Sequence, residues 1–254
     1  GVNDIPALKR ADIGIAMDTA TAATKAVAQV ILLDGRFDHL PAVVGEGRRV
    51  IANIERVSAL FLTKTVYSAV FAIAIGISGA VFPFLPRHMS LVSELTVGIP
   101  AFVLSFRATD RPCAPGYLRR VLRFAIPAGL AAATVTLTAY WLSRIPPFDA
   151  SLEQSRTAST ITLLIMALWL LHRLVWPLDR FEAVLLSALA SLALVVLLAR
   201  PLRELYALQP PSTAVVILST TLALGSAALL QVVLATWPHL PRRPRRRSAP
   251  TAPT

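Results

Sequence analysis

Three of the first four residues of the chain are suited to phosphate and metal chemistry. Asn3 can donate its amide to phosphoryl oxygens, Asp4 offers a hard carboxylate oxygen of the kind that Mg²⁺ prefers, and Gly1 permits close backbone approach. A loop after a parallel strand is where α/β sheets collect such chemistry. The alternative is structural, because Asn and Asp also cap helices.

The elements that follow predict part of an α/β domain. "IPALKRA" predicts a helix with Pro6 in its first turn, and "ADIGIAM" alternates as a strand does. "TAATKAVA" predicts a second helix capped by Asp18 or Thr19, and "QVILLD" predicts a buried parallel strand. This is a βαβ unit, and about forty residues cannot close a doubly wound sheet alone. We therefore predict that residues 1–40 are the end of a larger domain.

The chain as a whole has the composition of a membrane protein. Of the 254 residues, 55% are hydrophobic and 15% are charged, whereas a soluble domain has about 25% charged residues. A charged amphipathic segment, 41–56, predicts a stalk helix that continues into the first span. Apolar blocks near the roughly 20 residues needed to cross a bilayer predict spans at about 57–80, 89–106, 124–142, 157–175, 181–199 and 214–237. The predicted fold class is a mainly α-helical membrane protein with six transmembrane helices, preceded by a partial α/β, Rossmann-like remnant.

Charge and cysteine content exclude several classes of function. The net charge is +11, but the arginines lie between apolar blocks and form no continuous basic face, so we expect no nucleic-acid partner. A single cysteine, Cys113, excludes an internal disulfide framework and a multi-cysteine metal cluster. The head, the linker between the second and third spans, and the tail form the basic side, which predicts that they are cytoplasmic. The tail, 239–254, is predicted to be disordered; it either touches anionic headgroups or only ends the last span.

The opening stretch "GVNDIPALKRADIGIAM" resembles one family throughout its length. It is similar to the segment TGDGVNDxPALKxADIGIAM of the haloacid-dehalogenase-type phosphorylation domain of P-type cation-transporting ATPases, and the order of head, stalk and six spans is also similar. The resemblance implies that Gly1 and Asn3 lie at the phosphoryl region and that Asp4 helps bind Mg²⁺. It also implies ATP and Mg²⁺ as cofactors of the full-length protein, and a transported cation, the bilayer and the remainder of the pump as partners.

The family's phosphorylated Asp is part of a DKTGT motif, and no "DKTG" occurs in the chain. We therefore expect a C-terminal fragment of an integral membrane pump that does not hydrolyse ATP by itself. The resemblance favours the plasma membrane of a bacterium as its location.

Polar residues inside the first two spans suggest an ion path, because such groups are costly in a bilayer and mark transport pathways. In the family these two spans help to hold the cation. The helix break expected at Gly98–Pro100 would free carbonyls for coordination. Lys64 either pairs with Glu94 or extends to the interface. The hypothesis is that the path includes Lys64, Thr65, Ser68, Glu94, Thr96 and Pro100.

The match to the family's cation ligands is imperfect. Its calcium pumps have a "TDGLP"-like run where this chain has "TVGIP", so Val97 stands in place of an Asp. Few oxygens remain for strong coordination, and a site for several Ca²⁺ ions is not expected. The resemblance favours Ca²⁺ or a monovalent cation.

Two other classes of function fit parts of the sequence. Six spans and a Gly-Pro-broken helix also suit a secondary cation carrier, although that leaves the opening motif without a purpose. A non-catalytic membrane anchor is the third possibility.

Overall fold

The structure, a computed structural model, describes residues 2–106 and 116–236. Gly1, Cys113 and the basic tail lie outside the described residues. The described chain separates into two compact units, which we treat individually. We call residues 2–51 the head unit, and residues 52–106 and 116–236 the membrane unit.

The head unit contains a small parallel sheet and two short helices, in the order expected from the sequence. Its two strands pair in parallel, with Ile15 opposite Val30 and Met17 opposite Leu32. The elements in chain order are a 3₁₀ turn Val2–Asp4, helix α1 Ile5–Arg10, strand β1 Ile15–Met17, helix α2 Ala22–Val27, strand β2 Val30–Leu32 and a second 3₁₀ turn Phe37–His39.

Gly14 allows the chain to pass closely before β1. A Cβ at this position would lie 2.8 Å from the Gln29 side-chain oxygen and 2.9 Å from the Leu8 carbonyl oxygen. The Gly14 carbonyl accepts the Gln29 N–H at 2.9 Å. The second strand is less buried than predicted, since Ile31 is 39% exposed, and a two-stranded sheet cannot cover both of its faces.

The cap predicted for α2 was wrong. Thr21 is the N-cap, with extended backbone, and its side chain accepts a hydrogen bond from the Thr24 N–H at 3.3 Å. The Asp18 carboxylate instead forms an ion pair with the Lys25 ammonium group, at 2.6 Å. The helix begins after Thr21 because its hydroxyl can reach an unpaired N–H of the first turn.

Within residues 2–106 and 116–236, six helical segments are long and apolar enough to cross a membrane, as the sequence predicted. The segment Pro86–Ser105 combines α4 and α5 with a π-helical turn, Glu94–Gly98, between them. The helices that follow β2 are α3 Leu40–Ser78, α4 Pro86–Ser93, α5 Ile99–Ser105, α6 Tyr117–Leu142, α7 Leu152–Val175, α8 Arg180–Leu198, the short α9 Arg200–Tyr206 and α10 Thr213–Thr236.

Helix α7 lies at the centre of the membrane unit and packs against α6 and α10. Leu163, Met166 and Leu171 on α7 are fully buried, whereas Ile77 of α3 and Leu198 of α8 are 83% and 68% exposed. Outward apolar side chains are what a lipid-facing surface requires, because the bilayer interior is itself apolar.

Close contact between α6 and α3 depends on Gly129. A Cβ on Gly129 would lie 2.6 Å from the side chain of Val66 and 2.9 Å from the Thr63 carbonyl oxygen. Ala125, Ala128 and Ala132 extend this surface and are fully buried. Small residues permit such an approach between membrane helices.

The helix break expected at Gly98–Pro100 is not present. The π-helical turn carries the helix through, and the Ile99 N–H bonds to the Glu94 carbonyl oxygen. Pro100 has no N–H to donate, so the wider turn lets the helix absorb it without unwinding.

Candidate functional site

A polar cleft lies where α3 passes α4 in the membrane unit. It has a volume of about 290 Å³ and is lined by Lys64, Met89, Ser90, Ser93 and Glu94. Its two charged residues are of opposite sign. The cleft lies about 12 Å along α3 from Arg56, from the helical rise per residue.

Lys64 and Glu94 face the same cleft without touching. Lys64 is half-buried and Glu94 is exposed. In the described part of the chain, no ion pair within 4.0 Å joins them. Direct pairing, one of the two alternatives for Lys64, is therefore absent from this structure. Both charges remain available to a ligand in the cleft.

The cleft hydroxyls retain free lone pairs for a cation. Ser93 donates its O–H to the Met89 carbonyl at 2.6 Å, and Ser90 donates to the Pro86 carbonyl at 3.3 Å. A hydroxyl that donates its proton still has acceptor lone pairs on its oxygen. With the Glu94 carboxylate, these oxygens form a small set of hard donors of the kind that suit Ca²⁺, Mg²⁺ or a monovalent cation.

Four of the six residues predicted for the ion path do not line the cleft. Thr96 is 2% exposed and donates to the Val92 carbonyl at 2.7 Å. Pro100 is buried, and Thr65 is exposed and donates to the Phe61 carbonyl at 2.9 Å. Ser68 is half-buried, one helical turn from Lys64, and is not among the lining residues. Helical geometry turns Thr65 and Thr96 away from the cleft-lining face of their own segments.

A second polar cluster on α3 joins it to three other helices. We call it the polar collar: Asn53, Glu55, Arg56 and Ser58. Arg120 of α6 donates two hydrogen bonds to Glu55, at 2.9 and 3.0 Å, and Tyr117 donates its hydroxyl to Ser58 at 2.6 Å. The forked geometry of Arg120 fixes the orientation of α6 on α3.

The collar also reaches α5 and α8. Asn53 donates to the Ser105 carbonyl oxygen at 3.0 Å. Arg56 approaches Glu182 of α8 at 4.0 Å, and both side chains are only 7% exposed. Removing one partner of such a buried pair leaves a costly isolated charge. The sequence analysis missed the collar, although the polar run "NIERVS" at the start of an apolar span was a signal.

Helix α7 carries buried hydroxyls that the sequence analysis also missed. Ser155, Thr157, Ser159, Thr160 and Thr162 are each no more than 2% exposed. Each donates to the carbonyl four residues earlier. The hydroxyl protons are thus satisfied within the helix, and Thr157 also accepts a hydrogen bond from the Gln209 N–H at 3.0 Å, so these groups need no ligand.

In the head unit, Asn3 and Asp4 share the 3₁₀ turn before α1, and both are exposed. Asp4 is the N-cap of α1, but its side chain makes no capping hydrogen bond there. The turn packs against α2, the helix that leaves the carboxyl end of β1. Lys9 is exposed on α1.

No group of three His, Cys, Asp or Glu side chains that could enclose a metal ion occurs among the described residues. Asp4 can therefore supply one ligand of a Mg²⁺ site, and Glu94 one carboxylate of a cation site. Each site would need further oxygens, from backbone, water or other parts of the protein.

Comparison with known proteins shows close relatives over nearly the whole chain. It is 44% identical over 246 residues to the calcium-transporting ATPase CtpE of Mycolicibacterium smegmatis and 41% identical over 247 residues to that of Mycobacterium bovis, in each case covering 92% of this chain and 31% of the relative. It is 38% identical over 138 residues to the probable cation-transporting ATPase exp7 of Streptococcus pneumoniae, covering 51% of this chain and 18% of the relative. No family model matches the chain.

The chain spans about a third of the length of the curated relatives it matches, 31% in the two named calcium-transporting. The opening motif, the six membrane-crossing helices and these relatives agree with one another. The chain belongs to the P-type cation-transporting ATPases and corresponds to the C-terminal portion of such a pump.

Proposed function

We propose that this chain forms the membrane half of an ATP-driven cation pump, with the end of its phosphorylation domain attached. The observation that carries the proposal is the cleft between α3 and α4. It combines one carboxylate, one ammonium group and two hydroxyls between two segments that are apolar enough to cross a membrane. Charged groups at such a position are expensive and are kept for transport or coupling.

The transported ion is proposed to be Ca²⁺, one ion at a time. Two relatives at 44% and 41% identity are named calcium-transporting. Glu94 is the only carboxylate in the cleft lining, and Lys64 contributes an opposing positive charge. Ca²⁺ takes about 6–8 oxygen ligands, so carbonyls, water and further elements of the complete pump must complete its shell. A monovalent cation is the alternative that the same cleft allows.

In this proposal Lys64 tunes the charge of the site. When the cleft is empty, its ammonium group partly balances the Glu94 carboxylate, which lowers the cost of holding a charge within a membrane-crossing segment. When the cation binds, the Lys64 ammonium group moves away from Glu94, because its four-carbon side chain is flexible. Ser68, one turn further along α3, extends the path from the cleft. Thr65, Thr96 and Pro100 do not contact the ion and contribute only by holding their helices in position.

The head unit is proposed to serve the phosphorylation reaction of the complete pump. Asp4 would supply a carboxylate oxygen to Mg²⁺, and Asn3 would donate its amide to the phosphoryl group, with Gly1 allowing close approach. Asp4 is exposed in the 3₁₀ turn before α1, where its carboxylate can be reached by other parts of the pump. Mg²⁺ would neutralise the developing charge on the phosphoryl oxygens of ATP and of the aspartyl phosphate.

We also propose that the protein lies in the plasma membrane of a bacterium, with the head unit and the basic tail on the cytoplasmic side. The excess of arginine in the second–third linker and in the tail supports this orientation.

The test uses the complete pump that contains this chain, reconstituted in liposomes with ATP and Mg²⁺. We expect Ca²⁺ uptake that requires ATP, and a phosphorylated intermediate whose amount rises with Ca²⁺. Na⁺ and K⁺ are tested in parallel, and stimulation by one of them alone would exclude Ca²⁺ as the cargo. Cation uptake that proceeds without ATP would instead support a secondary carrier.

A further inference from the structure

The outward face of α6 carries two arginines that the collar does not use. Arg119, Arg123, Ile126 and Leu130 repeat at helical spacing on one side of α6. The opposite side, with Val121, Ala125, Ala128 and Ala132, is buried in the core. The outward face therefore begins with two positive charges and continues as apolar surface.

These two arginines differ from their neighbour Arg120. Arg120 is held by Glu55 through two hydrogen bonds. Within the described ranges, neither Arg119 nor Arg123 forms an ion pair or a side-chain hydrogen bond. Arg119 is exposed and Arg123 is half-buried. Their Cα atoms are one turn apart, so both guanidinium groups can reach one anion.

An apolar groove continues from the two charges along α6. It has a volume of about 630 Å³, and its lining includes Leu122, Ile126 and Pro127 below Arg119 and Arg123. Leu118 is 58% and Ile126 44% exposed. Because α6 is apolar enough to cross a membrane, this groove opens towards the acyl chains of the bilayer.

We propose that this face binds one anionic phospholipid. Arg119 and Arg123 hold the phosphate of its headgroup, and one acyl chain lies along Leu122, Ile126 and Pro127. The charge pattern favours this occupant over two others. A zwitterionic lipid has no net negative charge to balance the second arginine, and a soluble anion would not cover the apolar groove. Basic residues at a membrane surface attract anionic lipid more strongly than neutral lipid.

The experiment measures how many phosphatidylglycerol molecules the complete pump retains in native mass spectrometry, with phosphatidylcholine as the neutral probe. We expect the double variant Arg119→Gln, Arg123→Gln to lose one retained phosphatidylglycerol, with an apparent affinity at least about tenfold weaker. Arg119→Lys, Arg123→Lys should keep most of the binding. Arg200→Gln, a change at an 83% exposed side chain that is paired with Glu204, is the matched control and should change nothing.

Three outcomes would overturn the proposal: equal retention by wild type and the double glutamine variant, equal retention of phosphatidylcholine, or an equal loss in Arg200→Gln. A second measurement on the unaltered pump does not depend on the variants folding. Phosphatidylglycerol with a photoreactive acyl chain should label the peptide containing Ile126 more strongly than the matched phosphatidylcholine. Equal labelling by the two lipids contradicts a specific site.

Discussion

The polar collar and the cleft lie on the same helix, about two turns apart, yet they treat their polar groups in opposite ways. In the collar, Glu55 accepts two hydrogen bonds from Arg120, and Ser58 accepts one from Tyr117. In the cleft, Lys64 and Glu94 face a shared space without forming an ion pair, as far as the described chain extends. A polar group that the protein itself satisfies contributes to structure, whereas a charge left facing a cleft is available to a ligand.

The largest effect is expected from removing the cleft carboxylate. In the complete pump, Glu94→Gln should lower cation-stimulated phosphorylation by about 100-fold or more, because a charged ligand to the cation is replaced by a neutral one. The measurement is the amount of phosphorylated intermediate against cation concentration. Glu204→Gln, at an exposed carboxylate of the short α9, is the control and should behave as wild type. Unchanged stimulation in Glu94→Gln would remove Glu94 from the ion path.

A smaller effect of opposite sign is expected at the second cleft charge. Lys64→Met removes the positive charge that competes with the cation for Glu94, so the apparent affinity for a divalent cation should rise by about tenfold, as for one pair of charges at a partly screened site. Arg49→Met, at a head-unit residue, controls for a general change in surface charge. A weaker affinity in Lys64→Met would show that Lys64 supports cation binding and does not oppose it.

Substitutions in the collar are expected to lower the free energy of unfolding and to leave the ion affinity nearly unchanged. Glu55→Gln and Arg120→Gln, combined in a double-mutant cycle, should give a coupling of about 1–2 kcal/mol in the free energy of unfolding, which is typical of a charge-assisted pair that is partly open to solvent. The cation affinity of the folded pump should change less than threefold, on the order of 0.6 kcal/mol.

A coupling near zero would make the Glu55–Arg120 pair a surface contact without a structural role. A tenfold loss of cation affinity would instead erase the distinction between collar and cleft.

The finest test compares two hydroxyls that both bond to their own helix. Ser93 lines the cleft and Thr65 does not. We expect Ser93→Ala to weaken cation affinity by about three- to tenfold, since an oxygen ligand is lost, and Thr65→Val to change it less than twofold. Titration of phosphorylation against cation concentration measures both. Equal effects would mean that the ion path extends round α3 beyond the cleft.

Much of the fold was predictable because it depends on local pattern. The runs of apolar residues predicted six membrane-crossing segments. The alternation in "ADIGIAM", the capping residues after it and the apolar run "QVILLD" predicted the strand–helix–strand order of the head unit. The predicted break at Gly98–Pro100 was wrong because a π-helical turn carries the helix past Pro100, which has no N–H to donate. The cap of α2 was also wrong, since several residues before Ala22 could serve and only the backbone path selects Thr21.

The candidate site was less predictable because it depends on which faces of two helices meet. The sequence singled out Lys64 and Glu94 as charges within spans, and both line the cleft. It could not show that Thr96 and Pro100 are directed into the core, nor that Ser90 and Ser93 complete the lining. The bidentate contact between Arg120 and Glu55 joins residues far apart in the chain, and no local pattern reports such a pairing.

By itself, the sequence determined the class of the protein: the opening motif and the apolar blocks carry the family and the membrane fold, because both depend on residue type and short-range spacing. Only the tertiary structure decided which polar residues are paired and which face open space. The reason is that the rotation and packing of the helices fix which side chains meet. Gly129 is an example, because its lack of a side chain lets α6 pack against α3.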